Sequence, residues 1–464
     1  MLSVVLSIHI ARITGNLNYG KYSFACAYVA IFALFADLGY NTLMVRDISK
    51  DKSQANEYIS NILAFRILLC IIILMSIIIS INFLGYPAYT KEVVYIIGLY
   101  SLITSLSDVF RMAFRAFEIM EYKALTRVLS NGVRVLLGLS VLFLGYGIIE
   151  VSLVFLVSSI FDIIVSFLIC RNKIVRPQIH LNKSFLKNTL KIAIPLATLS
   201  FFEIIFVRID TIMLSLMKGD DVVGWYNAAY NLILGFKPIP NILLSVLLPI
   251  MSKYSVSTND MLRKIYEESF KLLFLIGFPL AVGTTLFADR IITSFYGQQY
   301  QPSIIALQIL AWDVFLIFSY SPLGCLLISI NQEKKLNISM GITAILNVVL
   351  NLILIPRFSY IGSAIATIAA ESVLFILYLY FVSKNNYKLQ LNKIAVCPLI
   401  ASLSMALFIC FFRSLNLCIS IVLSIFIYFF TLYIIRGFSK EELYMLSQCT
   451  EITNKLKIKK SKNE

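Results

Sequence analysis

Charge is scarce in this sequence: Asp, Glu, Lys and Arg make up 14% of its 464 residues, against 59% hydrophobic, and the mean hydropathy is +0.85. Soluble domains carry about a quarter charged residues, so a soluble fold is excluded. Histidine is nearly absent, and the two present, His9 and His180, are too far apart to suggest a His-rich metal site. Seven of the eight cysteines (Cys26, Cys70, Cys170, Cys325, Cys397, Cys410 and Cys418) lie in apolar runs without metal-type spacing. There they behave as small hydrophobes and build no disulfide framework. A phosphate-cradling glycine loop and a nucleophile elbow are both missing. The longest loops, roughly 171–190 and 251–265, are too short to form a catalytic domain. The expectation is a protein that is not an enzyme and holds no cofactor, unless an active site is built inside the membrane.

What is present is a succession of apolar runs, each long enough to cross a bilayer as a helix of about 20 residues. Hydropathy places about fourteen, at roughly 1–14, 22–45, 58–83, 93–115, 124–146, 148–170, 191–217, 222–250, 266–288, 303–330, 337–356, 360–383, 394–412 and 415–436. The fold class is therefore an all-α polytopic membrane protein. Met1 opens almost directly into Leu2-Ser3-Val4-Val5-Leu6, so the first helix is either short or missing its natural start.

Basic residues in short loops stay on the cytoplasmic side, and here they alternate. Loops after even-numbered spans, together with the C-terminal segment, hold roughly 29 of the 40 Lys and Arg. Both termini are expected in the cytoplasm, which requires an even number of spans. The net charge of +15 follows from this bias and from a Lys-rich tail (Lys455, Lys457, Lys459, Lys460 and Lys462) suited to an anionic inner leaflet. Nucleic acid is not an expected partner.

Internal repetition gives the organisation. Gly15-Asn16-Leu17-Asn18-Tyr19-Gly20-Lys21-Tyr22 precedes the second span, and Gly219-Asp220-Asp221-Val222-Val223-Gly224-Trp225-Tyr226 precedes the eighth, with Gly, Gly and Tyr in register. A looser match sets Tyr146-Gly147 against Tyr360-Ile361-Gly362. A six-helix unit occurring twice enters the membrane in the same direction each time, giving parallel repeats about an axis along the membrane normal. The expectation is two six-helix lobes around a central cavity, 1–184 with its linker and 185–384. Two added spans (385–436) and a basic tail (437–464) follow.

Several segments carry a family resemblance. Ile10-Ala11-Arg12-Ile13-Thr14-Gly15, Phe35-Ala36-Asp37-Leu38-Gly39-Tyr40, Val45-Arg46-Asp47, Arg208-Ile209-Asp210-Thr211, Val223-Gly224-Trp225-Tyr226-Asn227 and Leu354-Ile355-Pro356-Arg357 together resemble the Wzx-type O-antigen flippases. These belong to the multidrug/oligosaccharidyl-lipid/polysaccharide exporter superfamily. The resemblance runs from about residue 10 to 383 and departs at the start, where such proteins usually have more residues. It implies translocation of a polyprenyl-diphosphate-linked oligosaccharide from the inner to the outer leaflet of the cell membrane. The expected partners are that glycolipid, membrane lipids and glycan-assembly enzymes, with the protein itself a monomer.

A diphosphate and a glycan need a hydrated, cationic cavity, and ionisable residues inside spans are its expected mark. Arg66, Arg134, Arg208 and Lys237 lie well inside their helices, and Arg111 with Arg115 could form an entry patch at a helix end. Each has a structural alternative. Arg111 and Arg115 could snorkel to the headgroups; Arg66 and Arg134 could pair with Asp37, Asp108 or Asp162. Pro238 and Pro240 after Lys237 interrupt the helix, as at transporter sites. Without a nucleotide motif, the drive would come from an H+ or Na+ gradient or from consumption of product outside. Glu203 and Asp210, seven apart and on one face, are the coupling candidates, with Asp37 a third. Arg208 points away from Asp210 and so should seek a partner on another helix. A drug or cation antiporter of the same superfamily would have a cavity dominated by acidic and aromatic groups. A glycan polymerase or ligase would need a large outer loop with catalytic Arg or His.

Overall fold

A computed structural model describes residues 2–178, 180–257, 259–435 and 437. Among them there are fifteen α-helices and no strand: α1 (Leu2–Ala33), α2 (Tyr40–Lys50), α3 (Ala55–Phe83), α4 (Ala88–Ala116), α5 (Met120–Phe143), α6 (Ile148–Lys173), α7 (Lys183–Lys218), α8 (Asp220–Leu234), α9 (Pro238–Ser257), α10 (Asn259–Leu286), α11 (Ala288–Phe295), α12 (Ser303–Ser329), α13 (Glu333–Lys384), α14 (Leu391–Phe411) and α15 (Leu417–Ile434). Large apolar side chains face outward along the helices, with Ile72 61%, Leu136 70% and Phe426 63% exposed. Water would not tolerate so much apolar surface, whereas hydrocarbon does.

Eleven helices among the described residues are long and apolar enough to span, or twelve if the bent pair Lys183–Pro195 and Ala197–Lys218 counts as one. Two of these contain a non-helical residue that divides them. The 52 residues of α13 would run about 78 Å at 1.5 Å per residue, far more than a hydrocarbon core of about 30 Å. Ser359 (φ 53°, ψ −136°) breaks this helix, in the gap expected between spans 337–356 and 360–383. Gly15 breaks α1 between the first two expected spans. The expected span 22–45 departs further from a single helix. It stops at Ala33, passes through a 3-10 turn (Leu34–Ala36) and restarts at Tyr40, with Leu38 and Gly39 at φ 47° and 86°. The expected span 222–250 is likewise broken, between Leu234 and Pro238.

The repeat has a structural counterpart. Gly15 and Gly219 hold nearly the same backbone angles, φ 82°, ψ 168° and φ 98°, ψ 169°, a region essentially confined to glycine. Gly20 packs so closely that a Cβ there would overlap the carbonyl oxygen of Asp220, and a Cβ on Gly224 would overlap the carbonyl oxygen of Asn16. Because 16 corresponds to 220 and 20 to 224, the two contacts are the same contact made twice.

The chain divides into two compact units. The first comprises Met1–Gly235, Ile292–Ala306 and Leu336–Ala370, and the second Phe236–Ile291, Leu307–Lys335 and the chain from Glu371. In the first, Tyr40, Leu43, Ile59, Phe110 and Phe114 form a core that fixes α2 against α3 and α4. In the second, Leu275, Ala401, Met405, Tyr428 and Leu432 join α10, α14 and α15, and the Tyr428 hydroxyl donates to the Leu275 carbonyl at 2.7 Å. The basic tail expected at 437–464 lies, apart from Gly437, outside the described residues.

Candidate functional site

The first unit encloses two adjoining cavities, of about 240 and 330 Å3, which share Ala30, Tyr100 and Ser101 in their walls. In the smaller, Arg134 of α5 lies over two aromatic faces, 5.0 Å from the ring centre of Tyr100 and 5.3 Å from that of Phe155. Among the described residues its sole hydrogen bond is a long one, from Nε to Ser158 Oγ at 3.4 Å. Arg208 of α7 lines the same cavity and makes no hydrogen bond or ion pair among the described residues, contrary to the expectation of a partner on another helix. Cation–π contact holds a guanidinium in place without neutralising it. This cavity therefore carries two positive charges inside membrane-spanning segments.

The other basic candidates are placed differently. Arg66, 1% exposed, gives Nη2 to Asp37 Oδ1 at 2.5 Å and Nη1 to the Ser105 carbonyl at 2.8 Å, with Asn41 Oδ1 at 3.3 Å. Arg111 is held by Asp108 Oδ1 (2.8 Å from Nη2) and Asp162 Oδ2 (2.6 Å from Nη1). Both guanidiniums are buried and paired with carboxylates, so Arg66 takes the ion-pair alternative, and Arg111 is held by acids rather than by snorkelling. Arg115, expected beside Arg111 in an entry patch, is exposed, whereas Arg111 is buried and paired. Lys237 lies at the break between α8 and α9, in the second unit.

The carboxylates separate as well. Glu203 is exposed, whereas Asp210 is fully buried, so the shared helical face does not place them in one site. Asp210 receives four neutral donors: Tyr226 Oη (2.8 Å) and Thr367 Oγ1 (2.7 Å) on Oδ2, with Asn347 Nδ2 (2.8 Å) and Asn351 Nδ2 (2.7 Å) on Oδ1. Asn347 and Asn351 precede the break at Ser359 and Thr367 follows it, so both arms of α13 converge on one carboxylate. Asn351 Oδ1 is buried without a hydrogen-bond partner. Tyr226, Asn347, Asn351 and Thr367 were missed from the sequence, although two Asn one helical turn apart in an apolar span are the signal. Tyr100 and Phe155 were missed too, being indistinguishable from lipid-facing aromatics. Asp37 joins Arg66 and caps the restart of α2 through the Asn41 amide at 3.0 Å. Among the described residues no group of three or more His, Cys, Asp or Glu could hold a metal ion.

The second unit carries an apolar cavity of about 390 Å3 between α10 and α15, lined by Leu275, Leu280, Phe287, Met405, Ile425 and Phe429 among others.

An all-helical multi-pass bundle with broken spans and a cationic cavity inside it defines a membrane transporter fold. It matches the lipid II flippase MurJ in an inward closed conformation over 94% of this chain and 96% of that one, with a TM-score of 0.76 at 17% identity. The chain belongs to the polysaccharide biosynthesis protein family, whose model matches residues 1–255; the MatE family model matches residues 192–356. Capsular polysaccharide biosynthesis protein CapF of Staphylococcus aureus is 25% identical over 383 residues, 80% of this chain and 92% of that protein. A probable low-salt glycan biosynthesis flippase of Haloferax volcanii is 24% identical over 407 residues, 85% and 83%.

Proposed function

We propose that this protein is a flippase of the cell membrane that moves a polyprenyl-diphosphate-linked oligosaccharide from the inner to the outer leaflet by alternating access, for surface glycan synthesis. The observation that carries this reading is the pair of unneutralised guanidiniums, Arg134 and Arg208, in one cavity within the spans. Two fixed cations offset the charge of a diphosphate, and guanidinium forks match phosphoryl oxygens. The relatives named as capsule and glycan biosynthesis proteins support the same reading. The antiporter alternative fits the MatE match but not a cavity whose free charges are positive.

The protein acts as a monomer with both termini in the cytoplasm, in two six-helix lobes, and receives its substrate from glycan-assembly enzymes. Its drive is a gradient of H+ or Na+ acting at Asp210. The neighbouring groups suit a small hard cation, because turning an Asn amide by half a rotation replaces a donor with an oxygen ligand. Asn351 Oδ1, buried without a partner, is an oxygen in need of one. Asp210, Asn347, Asn351 and Thr367 would hold the ion.

The test is flipping of a fluorescent polyprenyl-diphosphate oligosaccharide in proteoliposomes. Arg134→Gln and Arg208→Gln should each slow it about tenfold or more at equal protein content. Transport at the normal rate by both variants would exclude this role.

A further inference from the structure

The larger cavity of the first unit carries a chemistry different from that of its neighbour. Arg66, the basic residue in its wall, and Arg111, behind Asp108, are buried, but the carboxylates they hold reach the cavity: the side chains of Asp37 and Asp108 are 38% and 36% exposed, against 1% and 10% for Arg66 and Arg111. Each acid uses Oδ1 for its arginine, and its Oδ2 has no partner among the described residues. Asn41, Ser101, Thr104 and Ser200 complete the polar wall. The backbone agrees, because the break at Leu34–Gly39 lines this cavity, and irregular backbone at membrane depth is tolerated where it faces a polar space.

We infer that this cavity is a subsite for a neutral, hydroxyl-rich sugar, with Asp37 and Asp108 as its hydrogen-bond acceptors, placed beside the Arg134 and Arg208 cavity that takes the diphosphate. The inference rests on the flippase reading above and adds the class of sugar next to the phosphates. A carboxylate fixed by an arginine keeps its direction and can accept from vicinal hydroxyls. An anion finds no free cation here and meets two acidic edges. An organic cation finds Asp37 already neutralised by Arg66. The two cavities adjoin at Ala30, Tyr100 and Ser101, and the inference has one molecule reach into both. The sugar directly attached to the diphosphate is therefore uncharged, and a uronic acid at that position is rejected by repulsion.

The test uses the full-length protein in proteoliposomes with two synthetic polyprenyl-diphosphate monosaccharides, one bearing glucose and the other glucuronic acid. Wild type should move the glucose compound about tenfold faster or more. Asp108→Asn keeps an oxygen for Arg111, which still has Asp162, and should bring the two rates within about threefold of each other. Ser200→Ala, a milder change that serves if Asp108→Asn does not fold, should weaken binding of the glucose compound by roughly two- to tenfold. It should leave binding of sugar-free farnesyl diphosphate unchanged. Equal wild-type rates for both sugars, with loss of both on Arg134→Gln, would overturn the subsite alone. Movement of neither compound by wild type would overturn the flippase reading and the subsite with it.

Discussion

Arg208 and Asp210 lie two residues apart on α7 and face opposite ways, the guanidinium into the cavity beside Arg134 and the carboxylate into a closed polar nest with Tyr226, Asn347, Asn351 and Thr367. One turn of helix thus joins a group suited to a diphosphate with a group suited to a cation. Any rotation or bending of α7 that alters the second must move the first.

This arrangement predicts separable phenotypes. Arg208→Gln should lower the flipping rate while preserving its dependence on the ion gradient. Asp210→Asn should abolish the gradient dependence, and Asn351→Leu should weaken it. Transport in vesicles with the pH and sodium gradients collapsed in turn checks both, and an Asp210→Asn variant that still responds normally would exclude coupling at this site.

A second prediction separates structural from functional arginines. Arg66→Gln leaves Asp37 without its partner, and breaking a buried pair costs about 3–5 kcal/mol. Since the side chain of Asp37 is 38% exposed, the loss should fall at the low end of that range. Arg134→Gln removes contacts with Tyr100 and Phe155 worth about 1–2 kcal/mol at most. Thermal unfolding in detergent should therefore rank Arg66→Gln well below Arg134→Gln, although Arg134→Gln is the variant that loses transport.

The third prediction concerns the paired glycines. A side chain at position 20 must displace the Asp220 carbonyl, and one at 224 must displace that of Asn16. Gly20→Val and Gly224→Val should each force this contact apart. A cysteine at Asn18 should then react faster with a membrane-impermeant maleimide than it does in the parent protein, and an unchanged rate would mean that the helices accommodate the bulk elsewhere.

Orientation supplies a fourth. Impermeant maleimide added to intact cells should reach a cysteine at Asp221 and miss cysteines at Lys183 and Lys457. Labelling at Lys183 would overturn the cytoplasmic placement of the linker.

The architecture was legible because its signal is summed over many residues. Runs of about twenty apolar side chains show regardless of their neighbours. The breaks at Gly15 and Ser359 were legible as gaps between spans. The break at Leu34–Gly39 was not, because Leu34, Phe35, Ala36 and Leu38 are as apolar as helix and outweigh the single Asp37 and Gly39 among them. Site residues were legible only by type. Hydropathy marks Arg66, Arg111, Arg134 and Arg208 alike, and what separates them is the partner each meets among the described residues: Asp37, Asp108 and Asp162 for the first two, aromatic rings for the third, none for the fourth. Such pairings join helices far apart in sequence, as Asp210 with Asn347 and Thr367 shows, and a single chain read along its length does not contain them.

The contact of Gly20 with Asp220 and of Gly224 with Asn16 is isologous: each repeat offers the other the same two surfaces that it receives. Two identical chains related by a two-fold axis meet in this way. A protein made of one repeat alone would form this junction with a second copy of itself, as a homodimer. Fusion of two such chains would keep the junction intact while freeing each half to diverge. The halves do differ: in this register the place of Asp210 is taken by Leu6 in the first repeat, and that of Asp37 by Asn241 in the second.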